Sequence, residues 1–212
     1  MKGPIGWFVA GGVAGVVGGA IWAAVPFLTG FEIGWIAWGI GLAVGAAVRA
    51  IDDHGGVMRA TCAALIAALA VAGGKFVAVS LILSDAGSQA VAEMRFDDEF
   101  VKTFIADDIV TRKVSAGEQL VWPEHSAVMQ TGETAEDYPA DVWEETEYAW
   151  GEFSKEERDS WREAARRMTR ENVRAYTSSL NESAFLDSFA LWDLLWFFLA
   201  VGTAFKLAGT EE

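Results

Sequence analysis

The chain has 212 residues, of which 52% are hydrophobic, yet it carries 16 basic and 30 acidic side chains. Residues 3–83 hold six charges, whereas residues 85–187 hold 24 acids and 11 bases and so account for nearly all of the net charge of −14. This distribution argues against an ordinary soluble enzyme. It also argues against a protein that binds nucleic acid through a net positive charge. The single cysteine excludes a disulfide scaffold.

Four apolar segments predict transmembrane helices. A spanning helix needs about 20 mostly apolar residues, because lipid offers its backbone no hydrogen-bond partners. The segments are Ile5–Leu28, Ile33–Val48, Ala60–Leu83 and Leu186–Phe205, and the second is short at sixteen residues. The sequence therefore predicts an all-α membrane protein with four transmembrane helices.

The basic residues near the predicted spans indicate orientation. With four spans, Lys2, Arg49, Arg59 and Lys206 all lie on one side, and basic residues in short loops favour the cytoplasm. We expect residues 1–84 to hold spans one to three. Residues 85–185 should form an acidic, helical, extracytoplasmic domain, and residues 186–212 span four with a short tail, so that both termini are cytoplasmic.

Small residues repeat every four positions in the spans. They are Gly11, Gly15 and Gly19 in span one, and Gly41 and Gly45 in span two. Such spacing lets helix backbones approach closely. It serves either packing within one bundle, which we favour, or contact between copies of the chain.

Aromatic residues mark the ends of the spans. Trp7 and Trp22 bracket span one, as interfacial anchors do. Phe185, Phe189, Trp192 and Trp196 follow helical spacing on span four. We expect this stripe to face lipid or a neighbouring helix; binding of a pigment, quinone or lipid is the alternative.

Two charges fall inside predicted spans, Lys75 in span three and Asp193 in span four. Such groups cost roughly 2.5–3.5 kcal/mol on insertion scales, so they usually face protein or water. Both lie in the predicted outer half of the membrane. They form either an intramembrane ion pair that clamps the two helices or two separate groups, with Lys75 reaching outward and Asp193 protonated.

Helical spacing also dominates the acidic domain. An amphipathic run covers residues 88–113, and it is either continuous with span three or separate from it. Gly117 fits the end of that helix, and Pro139 fits the first turn of a short helix to about Trp150. Ser154 and Glu157 predict a capping box that starts a helix to about Tyr176.

Residues 116–153 contain ten acids and neither lysine nor arginine. The next helix has an arginine at every fourth position: Arg158, Arg162, Arg166, Arg170 and Arg174. This arginine ladder either binds phosphate-bearing ligands or headgroups, or it forms salt bridges with the preceding acids. We favour salt bridges, because the acids outnumber the arginines locally.

The sequence contains no recognised catalytic or phosphate-binding motif, so we expect a protein that is not an enzyme and needs no cofactor. His54, beside Asp52 and Asp53, is interpreted as a loop residue rather than a metal ligand, and no metal site is predicted.

Residues 29–41, Thr-Gly-Phe-Glu-Ile-Gly-Trp-Ile-Ala-Trp-Gly-Ile-Gly, resemble a stretch found in small, uncharacterised bacterial multi-span membrane proteins. Tyr138-Pro-Ala-Asp-Val-Trp143 followed by Glu156-Glu-Arg158 is similar to a segment of some of them. The resemblance covers about a third of the chain. It implies a bacterial inner (plasma) membrane and supplies no activity.

The sequence therefore predicts an accessory or scaffolding membrane subunit whose outer helical domain binds a partner or copies of itself. A small oligomeric cation channel or transporter is the alternative. The expected partners are membrane lipid and other membrane-protein subunits or itself, and not nucleic acid.

Overall fold

The computed structural model describes residues 3–31, 34–51, 56–128, 130 and 132–210. Over these residues the chain is entirely helical, as predicted, with seven α-helices and a single 3₁₀ turn at Ala135–Asp137. The helices are α1 Pro4–Thr29, α2 Trp35–Arg49, α3 Val57–Glu93, α4 Asp98–Ser115, α5 Ala140–Glu152, α6 Lys155–Asp187 and α7 Leu191–Gly209. His54, with Asp52 and Asp53, lies outside the described residues.

The chain divides into two compact units. The apolar unit comprises Met1–Ala86 and Tyr176–Glu212, and the acidic unit comprises Gly87–Ala175. The helices α3 and α6 each contribute one end to the acidic unit. The second division falls within α6, which runs on beyond Tyr176 to Asp187.

Three helices of the apolar unit, α1, α3 and α7, are long and apolar enough to cross a membrane. The helix α2 is apolar but has only 15 residues, or about 22 Å at ~1.5 Å per residue, against a hydrocarbon core of about 30 Å. Side chains are distributed as in a lipid-exposed bundle. Val16 and Leu69 are 74% exposed, whereas Ala63 and Ala200 are fully buried.

The five predicted packing glycines lie between helices of this unit. A methyl group on Gly41 would collide with the backbone carbonyl of Ala200, and one on Gly45 would lie 3.0 Å from the Cα of Ala204. On α1, a methyl group on Gly11 or Gly15 would meet Ile66, and one on Gly19 would lie 3.0 Å from the Ala70 carbonyl oxygen. Close approach therefore joins α1 to α3 and α2 to α7.

Trp7 and Trp22 are core residues rather than the interfacial anchors expected from the sequence. They are 8% and 4% exposed and belong to the cluster that contains Val44 and Ala67. A methyl group on Gly74 would lie 3.0 Å from the Trp22 ring. The small residues of α3 thus leave space for a large ring. The position of a tryptophan near the end of a predicted span does not show that such a space exists.

The acidic unit has its own hydrophobic core, built by α4, α5 and α6. Its fully buried members include Val101, Ala106, Val142 and Ala165, and Tyr138 is only 2% exposed. Large aromatic side chains dominate this core, whereas glycine and alanine occupy the contacts of the apolar unit.

Helix ends in the acidic unit follow the sequence rules. Gly117 adopts φ +83°, the left-handed conformation that ends α4, and α5 starts directly after Pro139. The Ser154 hydroxyl accepts the Glu157 N–H, and the Glu157 carboxylate accepts the Ser154 N–H. The capping box is therefore present.

Two predicted helices are interrupted. The apolar span continues as a helix to Glu93, but Asp97 then accepts the Phe100 N–H and starts α4 as a new helix. Residues 188–190 separate α6 from α7. Phe185 and Phe189 therefore do not share a helix with Trp192 and Trp196, so the prediction of one continuous aromatic stripe is wrong.

Candidate functional site

The structure brings Lys75 and Asp193 together in the apolar unit. Lys75 Nζ donates to Asp193 Oδ2 at 2.8 Å, and the side chains are 3% and 12% exposed. The same Oδ2 accepts the Ala190 N–H at 2.8 Å, so Asp193 also caps the first turn of α7. A negative charge is favourable at a helix N-terminus, which adds to the compensation that Lys75 provides.

Three phenylalanine rings lie in a chain of contacts that begins beside the ion pair. Lys75 Nζ lies 5.0 Å from the centroid of the Phe189 ring, within cation–π range. Phe189 stands edge-on to Phe185, which in turn stands edge-on to Phe76 of α3. The pair is buried, and low exposure strengthens its electrostatic attraction.

A second clamp joins the C-terminal end of α7 to the first turn of α3. Arg59, which is 1% exposed, donates through Nε to the Ala208 carbonyl and through a terminal nitrogen to the Thr210 carbonyl at 3.2 Å. These carbonyls close the C-terminal end of α7, where a cation is favourable. Sequence reasoning used Arg59 only as an orientation signal and missed this role.

The two clamps match in length. Sixteen residues separate Arg59 from Lys75, and fifteen separate Asp193 from Ala208, which is about 24 Å and 22 Å along a helix. The first half of α3 and α7 are therefore antiparallel, and α7 is fixed near both of its ends, whereas α3 continues beyond Lys75 to Glu93. This equal spacing is the signal that could have identified Arg59 from the sequence.

In the acidic unit the arginines of the ladder have different kinds of partner. Arg158 donates to the carbonyls of Trp150 and Gly151, and Arg162 binds Asp98 of α4 at 2.6 Å and Asp159 at 2.7 Å. The Arg162 hydrogen bond lowers the pKa of Asp98 below its ordinary value. Arg166 lies over the Phe96 ring, 5.4 Å from its centroid.

Acids of residues 116–153 pair with basic residues of α4. Lys102 binds Glu147 at 2.8 Å and Arg112 binds Glu145 at 2.6 Å. Lys113 lies 3.3 Å from Asp141 and 3.4 Å from Glu145. The salt bridges that we expected from the arginine ladder are thus made by α4, because α5 packs along that helix.

A loop and α5 form an aromatic groove that the sequence did not point to. The Tyr138 ring lies between Trp122 and Trp143, at centroid distances of 6.1 Å and 5.8 Å. Val121 and Pro123 complete the walls, Glu136 and Glu144 are exposed at the rim, and the space has a volume of about 580 Å³. We call this the aromatic groove.

Hydrogen bonds fix the floor of the aromatic groove. The Tyr138 hydroxyl donates to Asp107 Oδ1 at 2.7 Å and lies 3.0 Å from the Gly132 carbonyl oxygen. Burial and the Asp107 carboxylate raise the pKa of Tyr138 well above its usual range, so the phenol stays protonated. Asp137 accepts the N–H groups of Glu133 and Thr134, which lowers its pKa.

Comparison of the chain with protein-family models, with curated proteins and with solved structures gave no significant match. A function must therefore be inferred from the chain's own residues.

Proposed function

We propose that this chain is a non-enzymatic integral membrane protein that acts as an accessory or scaffolding subunit. It has four spans in a bacterial plasma membrane, with both termini in the cytoplasm and residues 85–185 outside. The acidic unit binds a partner protein. The bound part of the partner is an extended segment that carries lysine or arginine beside proline or aliphatic residues.

The apolar unit supports the anchoring part of this proposal. Its helices expose large aliphatic side chains and bury small ones, which suits lipid better than water. The short α2 packs along both α1 and α7, and its Val44 and Val48 are fully buried. Because the neighbouring helices cover these positions, α2 fits as a fourth span with little tilt.

The aromatic groove is the observation that carries the binding part. Trp122 and Trp143 pack on the buried Tyr138 ring and, with Pro123, line the groove, and aromatic-lined grooves receive extended peptide segments that contain proline. Glu136 and Glu144 lie at the rim, and residues 116–153 contain no lysine or arginine. A basic segment is therefore the complementary partner in charge as well as in shape.

The ion pair in the apolar unit supports an anchor rather than an ion pathway. Asp193 is compensated by both Lys75 and the Ala190 N–H, and Arg59 holds the other end of α7. Groups bound in this way keep two helices in register. A conducting site must instead bind its ion weakly enough to release it.

Site-specific photo-crosslinking tests the proposed partner. A photoreactive benzophenone residue replaces Val121 in the groove wall of the full chain in its native membrane. Val114, which is 55% exposed on α4, is the control position. We expect one discrete adduct from position 121, with a crosslinked peptide containing lysine or arginine, and none from position 114.

Charge variants complete the test. Glu136→Gln with Glu144→Gln should abolish the adduct, whereas Glu163→Gln with Glu171→Gln removes the same charge elsewhere in the unit and should preserve it. Adducts that survive the first pair of substitutions would contradict the proposal. So would ion flux through liposomes containing the purified chain that disappears in Asp193→Asn, since that result favours a cation channel.

A further inference from the structure

Two members of the arginine ladder border a pocket inside the acidic unit. The pocket has a volume of about 450 Å³, and α3 and α6 provide most of its walls. Arg166 and Arg170 form the basic side, Ser88 contributes a hydroxyl, and Val91, Met94 and Phe96 form an apolar wall. We call this the arginine pocket.

The two guanidinium groups of the arginine pocket have fewer polar partners than the arginines nearer the start of α6. Arg158 and Arg162 are engaged by backbone carbonyls and by carboxylates. Arg166 is held over the Phe96 ring at 5.4 Å. Across the ranges that the structure describes, no hydrogen bond or ion pair engages the Arg170 guanidinium.

Several acids of this unit form ion pairs with other basic residues. Arg162 binds Asp98, the carboxylate that follows Phe96 by two residues, and Asp141, Glu145 and Glu147 pair with basic residues of α4. Arg166 and Arg170 also repel one another, since like charges four residues apart destabilise a helix by a few tenths of a kcal/mol. A bound anion would relieve this repulsion.

We propose that the arginine pocket binds a phosphate group, either free or as the headgroup of an anionic phospholipid. Guanidinium groups bind phosphate oxygens through paired hydrogen bonds, and the Ser88 hydroxyl lies at the same pocket. The wall of Val91, Met94 and Phe96 accepts the apolar part of a lipid. Ser88 is also only five residues beyond Leu83, the end of the predicted third span.

Thermal unfolding of the full chain in detergent tests the site. One series contains inorganic phosphate, a second contains phosphatidylglycerol, and a third contains phosphatidylcholine as the uncharged-headgroup reference. The variants are Arg170→Gln and, as the matched control on the same helix, Arg167→Gln. We expect Arg170→Gln to weaken binding about tenfold, because it removes charge-assisted hydrogen bonds, and Arg167→Gln to leave it unchanged.

The series also distinguishes the two sources of phosphate. Stabilisation by phosphate and by phosphatidylglycerol supports a headgroup-sized phosphate site, and stabilisation by phosphatidylglycerol alone supports a lipid site. In either case the effect must depend on Arg170. Equal stabilisation by phosphatidylcholine, equal loss in both variants, or no stabilisation by either anion would overturn the proposal.

This test is independent of the proposed partner. The aromatic groove and the arginine pocket share no lining residue, so a failed lipid experiment leaves the crosslinking result intact.

Discussion

The two units of this chain handle charge in opposite ways. The apolar unit buries Lys75 and Arg59 almost completely and gives each a specified acceptor on α7. The acidic unit keeps most of its ion pairs at the surface, with Arg162 30% and Asp98 48% exposed. Burial of both partners makes a paired charge specific for one helix arrangement, whereas in the acidic unit exposed acids share one partly buried base, as Asp141 and Glu145 share Lys113.

The units also differ in how their helices approach. In the apolar unit, glycine and alanine bring backbones into contact, as at Gly41 and Ala200. In the acidic unit, Tyr138 and Trp150 fill the space between the helices. This is the difference that a lipid environment would produce, because lipid removes the hydrophobic drive between helices and leaves close packing as the main attraction.

The largest expected effect comes from breaking the buried ion pair. Lys75→Met leaves the Asp193 carboxylate buried without its cation and should lower the free energy of unfolding by about 3–5 kcal/mol. Unfolding of the purified chain in detergent measures it, with Lys206→Met, an exposed lysine of α7, as the control.

Lys75→Met combined with Asp193→Asn should recover more than half of that loss. No charge is then buried, and the asparagine oxygen can still accept the Ala190 N–H. This neutral pair is a sharper test than exchanging the two charges, because a lysine at position 193 would oppose the dipole of α7. If the double variant is less stable than Lys75→Met, the two residues do not act as a pair.

The second prediction compares two glycines on α2. Gly41→Ala forces a methyl group against the Ala200 backbone and should cost about 1–3 kcal/mol, whereas nothing lies within 4 Å of a methyl group on Gly39. Gly39→Ala should be neutral or stabilising by up to about 1 kcal/mol, since alanine favours helix. The same detergent unfolding measures both, and equal effects would contradict close packing of α2 on α7.

The third prediction moves to the core of the acidic unit. Tyr138→Phe removes the hydroxyl that donates to Asp107 and should lower stability by about 1–2 kcal/mol. Hydrogen exchange of α4 and α5 amides reports the effect locally. Trp143→Phe keeps an aromatic ring beside Tyr138 and serves as a control for ring packing. No change in Tyr138→Phe would mean that the hydroxyl network does not stabilise the unit.

The smallest effect concerns the exposed pair. Arg162→Gln should have the smallest effect on stability at neutral pH, because the ion pair is partly exposed to solvent. Because Arg162 lowers the folded-state pKa of Asp98, the pair stabilises the unit above the ordinary Asp value of 3.8 and loses this contribution as the pH falls through the lowered value. The difference between wild type and variant should therefore shrink below about pH 4 and also in high salt. A pH-independent difference would assign the effect to packing.

Local rules in the sequence were sufficient for much of the fold. Apolar length identified α1 and α3, and the Ser154–Glu157 capping box fixed the start of α6. These local rules were not sufficient at residues 188–190, where apolar length predicted one continuous helix from Leu186. The Asp193 carboxylate instead caps the Ala190 N–H and starts α7. The polar residues Asp187, Ser188 and Asp193 lie in or beside this break, but apolar length does not show that one of them caps a new helix.

The sequence by itself determined the partition of charge, the apolar helices and most of the helix ends, because these depend on residues within a few turns of one another. Only the tertiary structure decided which basic residues find partners. Arg59 proved to be a buried clamp, Arg162 bound Asp98 rather than the preceding acids, and Arg170 was left at a pocket. The physical reason is that two charged residues pair when the fold brings them close together and buries them. Helical spacing in the sequence gives the position of only one of the two residues.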